Sequence, residues 1–304
     1  MKLTRGTFLA GVLGEFTGAL DHTALFDLWS NWSLAQGPIV VGEPPAIELP
    51  LQDKSLRFAV IGDNGTGARP QYEVGSLMAK TRAKFPFEFV LMMGDNIYGR
   101  KSKSAFKRKF EDPYKTLLED GVKFYASLGN HDDPNEIYYQ PFHMGGKRYY
   151  NWKSGNAEFF ALDSTYMNPA QLTWIEEKLR ESSAAWKFCF FHHALYSDGR
   201  FHGPDLDLRA RLEPIFVKYG VAVVFNGHEH FYERLQPQKE IHYFVVGNSG
   251  QLRRGNIRPG PNLAKGFDTD QAFLIAEVVG KEFYFQTISR SGNTVDSGMI
   301  PLHR

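Results

Sequence analysis

The chain of 304 residues reads as an α/β fold with mixed sheet structure, on three observations. Short apolar runs rich in β-branched and aromatic residues recur along it, helical periodicity falls between several of them, and one pair of runs is joined by a tight turn. The runs 57–61, 88–93 and 123–128 are continuous enough to be buried strands, and Val74, Leu77, Met78 and Thr81 share one face of a helix after the first. Residues 149–153 and 158–162, joined across Ser154-Gly155-Asn156, read as a hairpin. Asn168 as a cap and Pro169 in the first turn announce a helix whose Leu172, Ile175 and Leu179 lie on one face. After a strand at 187–191, Leu208, Leu212, Ile215, Phe216 and Tyr219 keep helical spacing, with Pro214 expected to kink or divide the segment. Further strands follow at 221–225, 243–246, 273–278 and 283–288. The sheet is mixed, or two sheets stand face to face.

Composition narrows the function. With 42% hydrophobic and 14% aromatic residues the chain is neither wholly disordered nor collagen-like. Lys and Arg number 35 against 34 Asp and Glu, a net charge of +1, so no basic field points to nucleic acid. No apolar run reaches the ~18 to 20 residues of a membrane span. The single cysteine excludes an intramolecular disulfide; Cys189, followed by Phe190 and Phe191 in a predicted strand, reads as core. Pro38, Pro44, Pro45 and Pro50 exclude helix and imply an extended linker. The chain thus divides into an N-terminal segment, 1–53, and one domain, 54–304. Lys2 and Arg5 precede an apolar, Gly/Ala-rich stretch that carries Glu15, which is either a degraded export signal or an amphipathic helix packed on the domain. Residues 4–9 resemble a bacterial twin-arginine signal in which one arginine has become Gly6.

The informative residues are those that leave the strands. The first run ends in Gly62-Asp63-Asn64-Gly65, the second in Gly94-Asp95-Asn96-Ile97-Tyr98, and the third in Gly129-Asn130-His131-Asp132. His192-His193 follows the strand at 187–191, and Asn226-Gly227-His228-Glu229-His230 follows that at 221–225. In α/β sheets ligands bind at the carboxyl ends of strands, so loops distant in sequence can converge there. Carboxylate oxygens mixed with neutral imidazoles suit a pair of first-row metal ions, which polarise a phosphoryl group and acidify water. Any one of these motifs alone is better read as a turn or a core histidine. Together, in chain order, they are not.

In that set the sequence resembles the calcineurin-like metallophosphoesterases, and within them the purple acid phosphatases, particularly the small tartrate-resistant type, over about residues 57–234. The resemblance implies a four-layer α/β/β/α metallophosphoesterase sandwich, two mixed β-sheets flanked by helices, with metals at one edge. The superfamily's first motif is usually Asp-x-His, whereas Asp63 is followed by Asn64 and Gly65. Tyr98, three residues beyond Asp95, supplies the replacement, the mark of the purple subfamily, where a tyrosinate binds ferric iron. Carried over by motif, Asp63, Tyr98 and His230 bind Fe(III), Asn130, His192 and His228 bind a second ion, Fe(II), Zn or Mn, and Asp95 bridges them. His192 is preferred to His193 because Tyr196 stands four residues after it, as an aromatic commonly does in the family; His193 is then a substrate-side residue or a packed neighbour.

His131 resembles the family's catalytic histidine, which contacts the phosphate and stabilises or protonates the departing alkoxide, with Asp132 orienting it or holding its proton. His202 resembles a substrate-side histidine, although an ordinary surface-loop histidine fits it nearly as well. The implied mechanism is attack on phosphorus by a metal-bound or bridging hydroxide, persisting at acidic pH, on a small-molecule phosphomonoester. A phosphodiesterase or nucleotidase using the same metals is the alternative, and a non-catalytic metal-binding relative a third reading. The basic rim segments 101–112 and 251–269, the latter with Arg253, Arg254 and Arg258, either hold phosphate oxygens or are solvated loops. Family habit implies a periplasmic or secreted location, with the cytoplasm as alternative, and a monomer.

Overall fold

The computed structural model describes residues 41–302; the stretch read as an export signal or amphipathic helix lies outside the described residues. In chain order the elements are β1 (Leu56–Ile61), α1 (Arg69–Lys84), β2 (Phe89–Met92), α2 (Lys103–Phe106), α3 (Lys115–Glu119), β3 (Lys123–Ala126), β4 (Tyr150–Ser154), β5 (Ala157–Ala161), α4 (Pro169–Glu181), β6 (Trp186–Phe190), α5 (Leu206–Tyr219), β7 (Val223–Asn226), β8 (Tyr232–Leu235), β9 (His242–Val246), β10 (Leu263–Phe267), β11 (Ala272–Val279), β12 (Glu282–Ser289) and β13 (Thr294–Pro301). They build a six-stranded sheet, β13-β12-β11-β1-β2-β3, and a seven-stranded sheet, β10-β8-β9-β7-β6-β5-β4.

Both sheets are mixed. β1, β2 and β3 are mutually parallel, as are β5, β6, β7 and β9, so the carboxyl ends within each group share one sheet edge. The two edges meet: Gly62 at the exit of β1 accepts from the Ser249 amide beyond β9 at 3.2 Å, and Gln251 N donates to Asp63 O at 3.0 Å.

The strand alternation fixes the layers. Phe188 and Phe190 of β6 enter the core between the sheets, while Cys189 and Phe191 enter a second cluster with Ile175 and Leu179 of α4 and Leu208, Leu212 and Phe216 of α5. Between the sheets, Phe58 of β1 lies edge-on to Phe159 at 5.3 Å and to Phe188 at 5.7 Å. Val74, Leu77 and Met78 of α1 join the first cluster from the other side. Helices thus flank both sheets. Asn168 caps α4 by accepting from Gln171 N at 2.9 Å, as its sequence position predicts, and Cys189 is fully buried.

The structure differs from expectation at several elements. Pro214 does not divide α5, which runs unbroken to the left-handed cap at Gly220. Pro214 and Ala210, whose carbonyl loses its partner, are both exposed, so water can take the missing bond. β8, β10 and β13 carry no apolar run that announces them. β10 and β13 are edge strands, and the polar face of β8 is satisfied by a distant residue, since Arg234 Nε and Tyr232 Oη each lie 2.8 Å from Asp296 of β13. β5 belongs to the expected hairpin but also runs parallel to β6, which adds a further loop to the functional edge. Residues 41–52 contain no helix or strand; Glu48 N donates to Gln286 Oε1 at 2.9 Å, and Leu51 N to Glu277 Oε2 at 2.7 Å.

Candidate metal centre

Each of the first residues after a glycine at the exits of β1, β2 and β7 turns sharply. Asp63, Asp95 and His228 have φ of 50°, 53° and 71°, a left-handed conformation that Asp and His tolerate better than most residues but still adopt at a cost. The turn carries each side chain back across the sheet edge. Asp63 and Asp95 are buried at 0% and 1% exposure.

Two groups of donors result. In the first, Tyr98 Oη is 3.2 Å from Asp63 Oδ1 and 3.3 Å from His230 Nε2, and His230 Nε2 is 3.4 Å from Asp63 Oδ1. In the second, His192 Nε2 is 3.0 Å from Asn130 Oδ1 and 3.1 Å from His228 Nδ1. Asp95 touches both: Asp95 Oδ1 is 3.5 Å from His192 Nε2, and ligand atoms of Asp63, Asp95 and His230 lie within 4.8 Å of one another.

Surrounding bonds aim these groups. His192 Nδ1 lies 2.8 Å from Met93 O, so that nitrogen carries the proton and Nε2 presents its lone pair to the cluster. The amides of His228 and His131 donate to Asp63 Oδ2 and Asp95 Oδ1 at 2.8 and 2.9 Å. His193 stands outside: its Nδ1 is 2.8 Å from Ser164 Oγ, and its ring is 4.5 Å from that of His228.

The electrostatics describe an array built for positive charge. Burial, then the Asp95 charge, pushes the Asp63 carboxyl well above its usual range. Burial, then Asp63, does the same to the Tyr98 phenol. Burial, then His193, holds the His192 imidazole far below its usual range; burial, then His192, acts likewise on His228, and burial, then Arg253, pushes His230 down to about 3. A carboxyl and a phenol driven toward protonation, beside imidazoles kept neutral with converging lone pairs, form a donor set that multivalent cations would satisfy. The residues fit a metal centre.

His131 is exposed at the mouth, its ring 5.0 Å from that of Tyr98. Asp132 does not orient it. That carboxyl accepts from Asn96 Nδ2, Ile97 N and Gly129 N at 2.8, 3.0 and 2.9 Å, bracing the β2 and β3 exits against each other. Its pKa is pushed up to about 6 by burial, then by Asp95. His202 lies with its ring 4.0 Å from that of His228. Its own loop is held by Glu229, whose Oε1 accepts from Gly203 N at 2.5 Å and whose Oε2 accepts from Asn256 at 3.1 Å.

Sequence reasoning passed over Glu229, Ser164 and the brace role of Asn226, whose Nδ2 reaches Phe191 O and His193 O at 3.0 and 3.2 Å. The parallel pairing of β5 with β6 places Ser164 on the functional edge, and only a parallel reading of that hairpin strand could have found it. In the first rim segment, Lys109 is fully buried with Nζ 2.5 Å from Tyr98 O, and Lys101 Nζ is 2.8 Å from His131 O; both brace loops.

A family model described as calcineurin-like phosphoesterase matches residues 56–232. The chain is 28% identical to purple acid phosphatase 4 of Arabidopsis thaliana over 81% of this chain and 84% of the relative. It is 20% identical to tartrate-resistant acid phosphatase type 5 of Mus musculus over 89% and 98%. Among solved structures, that of GAP50, the anchor in the inner membrane complex of Plasmodium, superposes with a TM-score of 0.72 at 17% identity, covering 82% of this chain and 90% of that one. That likeness shows the fold: two mixed sheets between helical layers. No helix among the described residues is long and apolar enough to cross a membrane. With the family model spanning the strand exits from Asp63 to His230, the chain belongs to the calcineurin-like phosphoesterases.

Proposed function

We propose that this phosphoesterase is a dinuclear acid phosphatase of the purple type, hydrolysing phosphomonoesters. The observation that supports the reading is Tyr98, whose phenol oxygen lies 3.2 Å from Asp63 Oδ1 and 3.3 Å from His230 Nε2, the residue that the resemblance offers in exchange for the superfamily's missing histidine. Asp63, Tyr98 and His230 would hold Fe(III); Asn130, His192 and His228 would hold Fe(II), Zn or Mn; Asp95 would be shared. Bound there, the ions supply Lewis-acid polarisation of the phosphoryl oxygens and acidify water.

The remaining roles fall to the chain. His131, exposed beside Tyr98, donates a proton to the departing alkoxide. His202 and His193, whose rings approach His228 to 4.0 and 4.5 Å, hold phosphoryl oxygens. Burial, then the Arg253 charge, lowers the His202 pKa, so at neutral pH it contacts the phosphate as a neutral donor.

The test is hydrolysis of para-nitrophenyl phosphate beside its bis-para-nitrophenyl diester from pH 4 to 9, on protein of measured metal content. Preference for the monoester at acidic pH, with a visible charge-transfer band, is expected. Preference for the diester near neutral pH would overturn the monoesterase reading and favour a phosphodiesterase at the same residues.

A further inference from the structure

We propose that Phe201 and Arg253 form a leaving-group subsite that selects phosphomonoesters whose alcohol is an aromatic ring bearing an acidic group. The proposal rests on the phosphatase reading above and names its substrate class.

A file of rings leads out from the candidate metal centre. The His228 ring is 4.0 Å from that of His202, and His202 meets Phe201 edge-on at 4.6 Å. Phe201 is 66% exposed, so one large apolar face is left to water at the outer end of the file. The Arg253 guanidinium lies 3.9 Å from the centroid of the same ring. Arg253 is half-buried, and among the described residues its side chain makes no hydrogen bond or ion pair, although its Nη1 faces inward. A guanidinium in that position is a donor awaiting an oxygen.

Both residues sit on pinned backbone. Arg253 N donates to His230 O at 2.9 Å, and the loop of Phe201 is fastened through Gly203 N to the buried Glu229 carboxyl at 2.5 Å. An ester with its phosphoryl group over His228 and His202 therefore extends its alcohol along Phe201, where a ring can stack and an acidic substituent can meet Arg253.

The experiment compares n-propyl phosphate, phenyl phosphate and 4-carboxyphenyl phosphate in the metal-loaded protein and its variants. Each result is taken as the ratio of variant to parent kcat/KM, so intrinsic leaving-group reactivity cancels. Phe201→Ala should cost the phenyl ester about fivefold more than the propyl ester. Arg253→Gln should cost the carboxyphenyl ester at least about tenfold more than the phenyl ester, with Arg253→Lys recovering part of the loss. Equal losses on all three esters in both variants would overturn the subsite and leave the phosphatase reading intact. If the parent hydrolyses none of them, that reading falls, and calorimetric titration with 4-hydroxybenzoate still decides the subsite: weaker binding in both variants supports it, and unchanged binding overturns it.

Discussion

Gly227→Ala tests whether the two donor groups are a single construction. A Cβ at Gly227 would fall 2.5 Å from Asp63 Oδ2, 2.8 Å from Met93 O and 3.2 Å from Met93 Cβ. Ordinary contact begins near 3.4 Å, so the carboxylate of one group and the carbonyl that aims His192 in the other must each retreat by about 0.6 to 0.9 Å, or His228 must move with its loop. Overpacking of this kind costs about 1 to 3 kcal/mol, and a misplacement of about 1 Å at a reacting centre costs about 10²-fold. The expected outcome is a fall in kcat/KM of about 10²-fold together with loss of bound metal, read by elemental analysis and by melting temperature. Gly155→Ala is the control: its Cβ meets nothing within 4 Å, and the φ of 58° adds only backbone strain, about 1 to 2 kcal/mol. The control should match the loss in stability without the loss of metal. Full metal content and kcat/KM within about threefold of the parent in Gly227→Ala would refute the interlocked geometry.

Tyr98→Phe should abolish the visible band while leaving measurable hydrolysis; an unchanged spectrum would remove the phenol from the metal. His131→Ala should slow alkyl phosphates by about 10²-fold or more and activated aryl phosphates much less; equal factors on both would end its assignment as the acid. Glu233→Gln should flatten the pH dependence of stability. Burial pushes this carboxyl from 4.5 to about 8, so the fold prefers its protonated form: no penalty applies below pH 4.5, one grows as pH rises from 4.5 to 8, and it levels off above 8. At about 1.4 kcal/mol per pH unit over that interval the penalty reaches at most about 5 kcal/mol. The variant should melt higher than the parent at pH 9 and level with it at pH 4.5, and a constant difference across that range would contradict the argument.

Much of the architecture is legible because burial leaves an unambiguous record. The strand at 187–191 is apolar at every position after Lys187 since both faces are covered, and its exit follows at once in His192. Neighbouring residues that look equivalent are separated only by the fold. His192 and His193 differ by a Met93 carbonyl on one ring and a Ser164 hydroxyl on the other, contacts 99 and 29 residues away in sequence. Asp132 looks like a partner for its neighbour His131, yet the chain path turns it toward Gly129 and the β2 exit. Glu229 sits between two histidines of the site and faces the opposite way, into the loop of His202. Strand β8 hides its burial because Arg234 is neutralised by Asp296, 62 residues on.

One local device accounts for the geometry of the centre. Three times a strand ends in glycine followed by a residue in the left-handed region: Gly62-Asp63, Gly94-Asp95 and Gly227-His228. The left-handed residue swings its side chain over the edge, and the glycine removes the atom that would block a neighbour doing the same. The space a Cβ would take at Gly94 lies 2.7 Å from His192 Nδ1, and that at Gly227 lies 2.5 Å from Asp63 Oδ2. Two of the three exits thus make room for a donor residue from another strand, so the donor groups cannot be tuned one at a time. Three left-handed residues and several buried polar groups lie along this edge, while the aromatic core between the sheets supplies the stability that tolerates them. Cations bound among these donors would reverse the electrostatic cost of the array, coupling metal affinity to the stability of the fold itself.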